Sequence, residues 1–185
     1  MPSTAYDAKG LVKTALRSSD PVIFLMHKRL SGIRGDVGGP EDLVPFGKAR
    51  VARPGDDCTI VTYGGTVTPA LKAAAMMAEK GTDVEVLDLR TLWPLDMDSV
   101  VAAARRHGRI VVADEAPVVG SVIAEIAAQV QQAAFHYLDA PVTRVGAVRA
   151  PIGANPGLIE AALPTPEDLV QAVESLFAGD RVTAS

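Results

Sequence analysis

At 185 residues the chain is long enough to bury one proper hydrophobic core, with room for an appendage. Its 48% hydrophobic and 22% charged residues are the composition of a folded α/β protein, and a formal net charge of −4 gives no electrostatic reason to bind nucleic acid or an anionic membrane. The lone cysteine, Cys58, excludes an internal disulfide. No apolar run approaches the ~20 residues of a transmembrane helix and no signal-peptide core opens the chain, so a soluble, cytoplasmic protein is expected.

In chain order, Asp7 to Arg17 reads as a short helix with Leu11, Val12, Ala15 and Leu16 on one side. Ser18-Ser19-Asp20-Pro21 ends it, because the residue before a proline is disfavoured in helix. Val22-Ile23-Phe24-Leu25 reads as a buried strand. Lys28 to Pro45 has little periodicity and holds Gly32, Gly35, Gly38 and Gly39, with Gly47 just beyond; it reads as a linker.

A regular alternation follows. Lys48 to Arg53 is an edge strand, Pro54-Gly55-Asp56-Asp57 a turn, and Thr59 to Tyr63 a strand ended by Gly64-Gly65. Thr68 to Glu79 is an alanine-rich helix closed by Lys80-Gly81. Strands at Val84–Leu87, Ile110–Ala113 and Val142–Val148 then alternate with helices at Met97–Arg106, Val122–Tyr137 and Pro166–Phe177. Thr165 and Asp168 have the spacing of a capping box at the start of the last helix. Short apolar strands between helices predict an α/β fold, a mainly parallel sheet covered on both faces.

Motifs with intrinsic chemistry are sparse. Gly64-Gly65-Thr66 lies between a strand and a helix, where backbone N–H groups could hold an anion, but no G-x-G-x-x-G or G-x-x-x-x-G-K-[ST] accompanies it, and a tight turn is the simpler reading. His107 precedes a helix-ending glycine, where a cation complements the helix dipole, and His136 reads as a surface or interface residue. His27 follows an apolar strand, where α/β sheets place functional groups, and is the histidine with a possible functional role. The histidines lack metal-ligand spacing and Cys58 has no CxxC partner. Asp114-Glu115 ends a strand without a nearby nucleophile, and no G-x-S-x-G elbow occurs.

Five segments in order carry a resemblance: PSTAYDAKGLVKTALRSSDPVIFLMHKRL, LVPFGKARVARPGDDCTIVTYGGTVTPALKAA, VEVLDLRTLWPLD, RIVVADEAP and AEIAAQVQQAAFHYLDAPVTRVGA. Together they resemble the C-terminal portion of the β subunit of thiamine-diphosphate-dependent 2-oxoacid dehydrogenases of the pyruvate, branched-chain and acetoin type, in the transketolase superfamily. The resemblance implies a three-layer transketolase C-terminal domain, with a mostly parallel mixed sheet and one antiparallel edge strand. It divides the chain into residues 1–27, the end of a pyrimidine-binding domain; 28–46, a linker; 47–179, the C-terminal domain; and 180–185, a tail.

The activity implied for the whole family enzyme is oxidative decarboxylation of a 2-oxoacid with acyl transfer to lipoamide. In that family Mg²⁺ and thiamine diphosphate are held by a GDG motif on the α subunit and a glutamate in the pyrimidine-binding domain. Here Gly35-Asp36-Val37 and Gly55-Asp56-Asp57 depart from GDG, and Met26 stands where the family often has glutamate before the His-Lys pair. The chain alone is therefore expected to have no catalytic residues and to bind no cofactor. Its expected role is assembly with the α subunit and further β subunits, and docking to the peripheral subunit-binding domain of the acyltransferase. An interaction or regulatory module built on the same fold is the alternative, and an independent small-ligand binding protein a third. Partner contacts are expected at Trp93, in DLRTLWPLD, as an interface residue or else a lid over the domain's own core. They are also expected at Asp139 in the LDAP turn, and at Glu167, Glu174 and Phe177 on the last helix.

Overall fold

A computed structural model describes residues 1–178. Five strands, β1 (Arg50–Arg53), β2 (Cys58–Thr62), β3 (Val84–Asp88), β4 (Ile110–Pro117) and β5 (Thr143–Ala147), form one sheet in the order β1-β3-β2-β4-β5. Only β1 runs antiparallel, on the outer edge of β3. The other pairs are parallel, with Ile60 opposite Val86 and Val111.

Helices α1 (Ala5–Arg17), α2 (Val67–Glu79), α3 (Met97–His107), α4 (Val122–Ala134), α5 (Pro156–Ala162) and α6 (Pro166–Leu176) complete the chain. Side chains alternate across each strand, and the two resulting sets bury in different layers. Cys58, Ile60, Val84, Val86 and Val111 pack with α2 and α6, whereas Val61, Leu87, Ile110 and Val112 pack with α3 and α4. The three-layer α/β architecture expected from the sequence is the observed one.

Helix termini follow local chemistry. Thr165 and Asp168 form the capping box of α6, with Pro166 at the first turn. Gly108, at φ 68°, ends α3 in the left-handed region that glycine adopts without strain. The helix expected to reach Tyr137 stops at Ala134 and tightens into a 3₁₀ turn, Phe135–Tyr137. A short α5, unexpected from the sequence, is capped by Asn155. Residues 179–185, including the tail, lie outside the described residues.

One expectation for the N-terminal segment differs from what is observed. Val22–Leu25 has no regular secondary structure and pairs with no strand, and Ile23 and Leu25 are exposed. Apolar alternation makes a strand only where a neighbour supplies hydrogen bonds, and the five-stranded sheet offers none here. The linker, by contrast, is anchored. Lys9 and Lys13 donate to carbonyls between Gly38 and Asp42, and Val44 is buried against Gly10.

The DLRTLWPLD loop attaches this segment to the sheet. Asp7 on α1 is fully buried, 3.2 Å from Arg90 and 3.5 Å from Arg50. Arg50 also pairs with Asp88 at 3.1 Å, and the Ser3 hydroxyl donates to the same carboxylate. Burial pushes the Asp88 carboxyl above its ordinary value, while the Ser3 hydroxyl and Arg50 oppose that rise. Thr91 accepts the Gly47 N–H and Asp96 the Ala49 N–H, so the loop also fixes the approach to β1. Burial alone would raise Asp96, but the bonds from Ala49 and Ser99 outweigh it and hold its carboxyl below the usual value.

Removing Asp7 would leave the Arg90 guanidinium buried beside a void, a loss of about 3 kcal/mol for a broken buried pair. Asp7→Ala is therefore expected to accelerate amide exchange across residues 5–17 about 100-fold. Protection of β2 to β4 should be retained. Hydrogen exchange read by mass spectrometry checks this, and unchanged protection of α1 would refute it.

Candidate functional site

The strand order defines where a doubly wound sheet opens. From β2 the chain crosses through α2 to β3 on one side; from β4 it crosses through α4 to β5 on the other. The crevice between the carboxyl ends of β2 and β4 is thus the topological switch point, the usual ligand position in such sheets. His27 is delivered there from the N-terminal segment. Its Nε2 lies 2.6 Å from Glu115 Oε2 on β4, and its Nδ1 is buried without a partner.

Gly65 makes room for the imidazole, since a Cβ there would stand 2.7 Å from Nε2. Beside this pair the Tyr63 hydroxyl donates to Asp114, whose second oxygen accepts the Glu115 N–H at 2.6 Å. Burial, then the Asp114 carboxylate, push the Tyr63 phenol far above its ordinary value, so it stays protonated. Thr62 and Thr66 have buried hydroxyls without partners. A groove of about 470 Å³ continues from His27 past Arg29 and Lys72 to Glu160.

Among the described residues no group of three or more His, Cys, Asp or Glu could hold a metal ion. The His27 imidazole fills the space over Gly65, and Gly35-Asp36-Val37 lies on the exposed linker. These residues do not fit a thiamine diphosphate–Mg²⁺ site, and no step of that chemistry is assigned to them. The arrangement straps residues 26–30 across the crevice through one hydrogen-bonded acid–base pair.

The expected partner residues fall at opposite ends of the sheet. Trp93 follows β3, at the carboxyl end, and is 92% exposed, so it does not cover the domain's own core. It flanks an apolar groove of about 710 Å³ shared with Ile23, Phe24 and Phe46. Asp139, Glu174 and Phe177 lie at the amino end. Arg109, just before β4, pairs with Asp139 at 3.0 Å and lies over the Phe177 ring at 4.7 Å, joining two of them. Glu174 pairs with Lys80 at 2.7 Å, and Glu167 faces the His27 groove instead. His136 is exposed, stacked edge-on against Phe135.

Sequence reasoning missed Arg109 and the Asp7–Arg90 pair, which no local pattern marks. Asp114-Glu115, expected to end a strand but lying within the longer β4, was the available signal for the partner of His27.

Residues 47–169 match the transketolase C-terminal domain. The chain belongs to that family. Along most of its length this transketolase C-terminal domain chain is similar to β subunits of 2-oxoacid and acetoin dehydrogenases. It is 42% identical over 180 residues to the acetoin:2,6-dichlorophenolindophenol oxidoreductase β subunit of Cupriavidus necator, covering 97% of this chain and 53% of that protein. The pyruvate dehydrogenase E1 component β subunit of Rhizobium meliloti is 43% identical over 95% of this chain and 38% of its own length. The 2-oxoisovalerate dehydrogenase β subunit of Bacillus subtilis is 40% identical over 88% and 54%. The chain thus spans about half the length of most of the curated relatives it matches. A solved split-gene transketolase, an inactive β4 tetramer, superimposes with a TM-score of 0.61 at 30% identity, over 77% of this chain and 46% of that one.

Gly65→Ala tests the strap, because the Gly65 backbone has no positive φ and the three atoms nearest to an added methyl group all belong to the His27 imidazole. Expected is loss of the His27–Glu115 hydrogen bond, seen as a solvent-like imidazole ¹⁵N signal, with faster amide exchange confined to residues 26–33. An unchanged His27 signal would show that the pair does not depend on this seat.

Proposed function

We propose that the chain serves as the C-terminal domain of the β subunit of a 2-oxoacid dehydrogenase decarboxylase component, acting in subunit assembly and docking rather than in bond chemistry. The observation that carries this reading is the apolar groove between residues 18–25 and the Trp93 loop, whose rim includes Ile23 at 87% and Trp93 at 92% exposure. An apolar surface of this kind calls for a covering partner. It lies on a chain 40–43% identical to β subunits and about half their usual length.

The covering partners in this reading are the rest of a β-subunit assembly and an α subunit, and the compartment is the cytoplasm. Thiamine diphosphate and Mg²⁺ are then held by other parts of that assembly. The β4 state of the split-gene transketolase supports self-association as the resting state of an isolated chain. Static light scattering at tens of micromolar, about the range where weak dimers form, is expected to give at least twice the monomer mass of 19.3 kDa. A clean monomer would count against the reading.

The docking surface in this proposal is the Arg109–Asp139–Phe177 corner, which offers an aromatic centre beside a charged rim for a small basic domain of the acyltransferase. Asp139 is exposed but already paired, so its charge reversal both repels a basic partner and releases Arg109. Asp139→Lys in the assembled β subunit is expected to weaken binding of the peripheral subunit-binding domain about tenfold, more at low salt than at high salt. Phe177→Ala should weaken it at both. Surface plasmon resonance measures each, and unchanged affinity in both variants would move the site elsewhere.

A further inference from the structure

His107 belongs to a closed ring of hydrogen bonds at the amino end of the sheet, away from the strap at His27. It was expected to act as a cation at the end of α3. Instead it is buried, and burial, opposed by Glu85 and reinforced by Arg106, lowers its basicity below the ordinary value. Four contacts fix the direction of every proton in the ring. Arg106 Nε–H donates to His107 Nε2 at 3.0 Å, so the imidazole proton must be on Nδ1. Nδ1–H then donates to the Thr59 hydroxyl at 2.6 Å. Thr59 donates in turn to Glu85 Oε1 at 3.2 Å, and Arg106 Nη2 closes the ring on Glu85 Oε2 at 2.6 Å.

We propose that this ring of His107, Thr59, Glu85 and Arg106 is a proton-sensitive lock between β2, β3 and the end of α3, which opens when the imidazole takes a second proton. A proton on Nε2 would face the Arg106 Nε–H, replacing a hydrogen bond with two donors and two like charges. The anionic groups facing His107 are Glu85 on β3 and Asp56 and Asp57 in the β1–β2 turn, and Arg106 is the opposing cation. Glu85 is already bonded by Thr59 and Arg106, so its attraction offsets only part of the cost of the new charge at Nε2.

The sign follows from the depressed basicity. The ring contributes stability at neutral pH. That contribution declines as pH falls below about 6.5, the ordinary histidine value, and is gone once the pH has passed the lower value of the folded state. Gly108 and Arg109 follow His107 directly, so opening the ring loosens the corner where Arg109 meets Asp139 and Phe177. Proton-sensitive docking at that corner rests on the proposed docking role; the ring itself is testable without any partner.

The experiment is ¹⁵N NMR titration of the full chain from pH 8 to pH 4.5. The expected result is an Nδ1–H tautomer for His107 at neutral pH, with His107 and the Arg106 Nε–H shifting together at a midpoint below the ordinary histidine value of about 6.5. Arg106→Met should raise the midpoint and Glu85→Gln should lower it. Should either variant fail to fold, the tautomer and the shared midpoint in the unaltered chain still decide. An Nε2–H tautomer, separate midpoints for His107 and Arg106, or a midpoint insensitive to both substitutions would overturn the proposal. Normal ring behaviour with pH-independent docking would remove only the coupling to Arg109.

Discussion

A carboxylate with no access to water must be matched by positive charge, and at Asp7 that requirement organises half the molecule. Two guanidiniums answer it, Arg90 from the loop after β3 and Arg50 from the edge strand. Arg90 adopts a positive φ of 58° to do so, a conformation that costs a non-glycine residue about 1 kcal/mol or more. The cost is offset by what Arg90 ties together, since its Nε also donates to the Lys48 carbonyl. Helix α1, the approach to β1 and the end of β3 therefore form one unit. Breaking such a pair by removing one partner costs far more than the intact pair contributes to net stability.

The same loop explains the placement of the tryptophan. Asp88, Arg90, Thr91 and Asp96 all turn inward to partners on α1, on the approach to β1 or at the start of α3. With its polar residues committed, the loop projects Trp93 outward. An exposed indole is a poor use of the largest apolar side chain unless another surface covers it. The segment Val22–Leu25, which pairs with no strand, lies against the same groove, so the unsatisfied apolar surface and the unpaired backbone occur together.

Most of the sheet was legible because its strands are buried on both faces and read as continuous apolar runs bounded by glycine and proline turns. Val22–Leu25 has the same appearance, but pairing is a property of the neighbour and not of the run. Helix α5 escaped notice because its apolar Leu158 is exposed and its seven residues carry no buried stripe. The His27–Glu115 contact joins residues 88 apart, and the Asp7–Arg90 pair residues 83 apart. Charged side chains separated so far carry no periodic signal, and only the strand order brings them together. His107 was read from its local setting as a cation at a helix end, whereas donor and acceptor counting across three elements makes it neutral.

Sheet polarity separates the roles argued for this chain. Strands β2 to β5 all point the same way, so the carboxyl end gathers the strap at His27 and the Trp93 groove, while the amino end gathers Arg109, Asp139, Phe177 and the His107 ring. In many α/β sheets the carboxyl end binds the ligand. Here the chain's own segment crosses that crevice through a histidine seated over a glycine and bonded to Glu115. The amino end is built differently, with Gly108 holding the corner in a left-handed turn where a Cβ would collide with Asp139 at 2.6 Å. In the docking role we propose, this corner joins an aromatic ring, a paired carboxylate and an adjacent titratable ring at the end of the sheet opposite the crevice, so a partner binds there without touching the strap at His27.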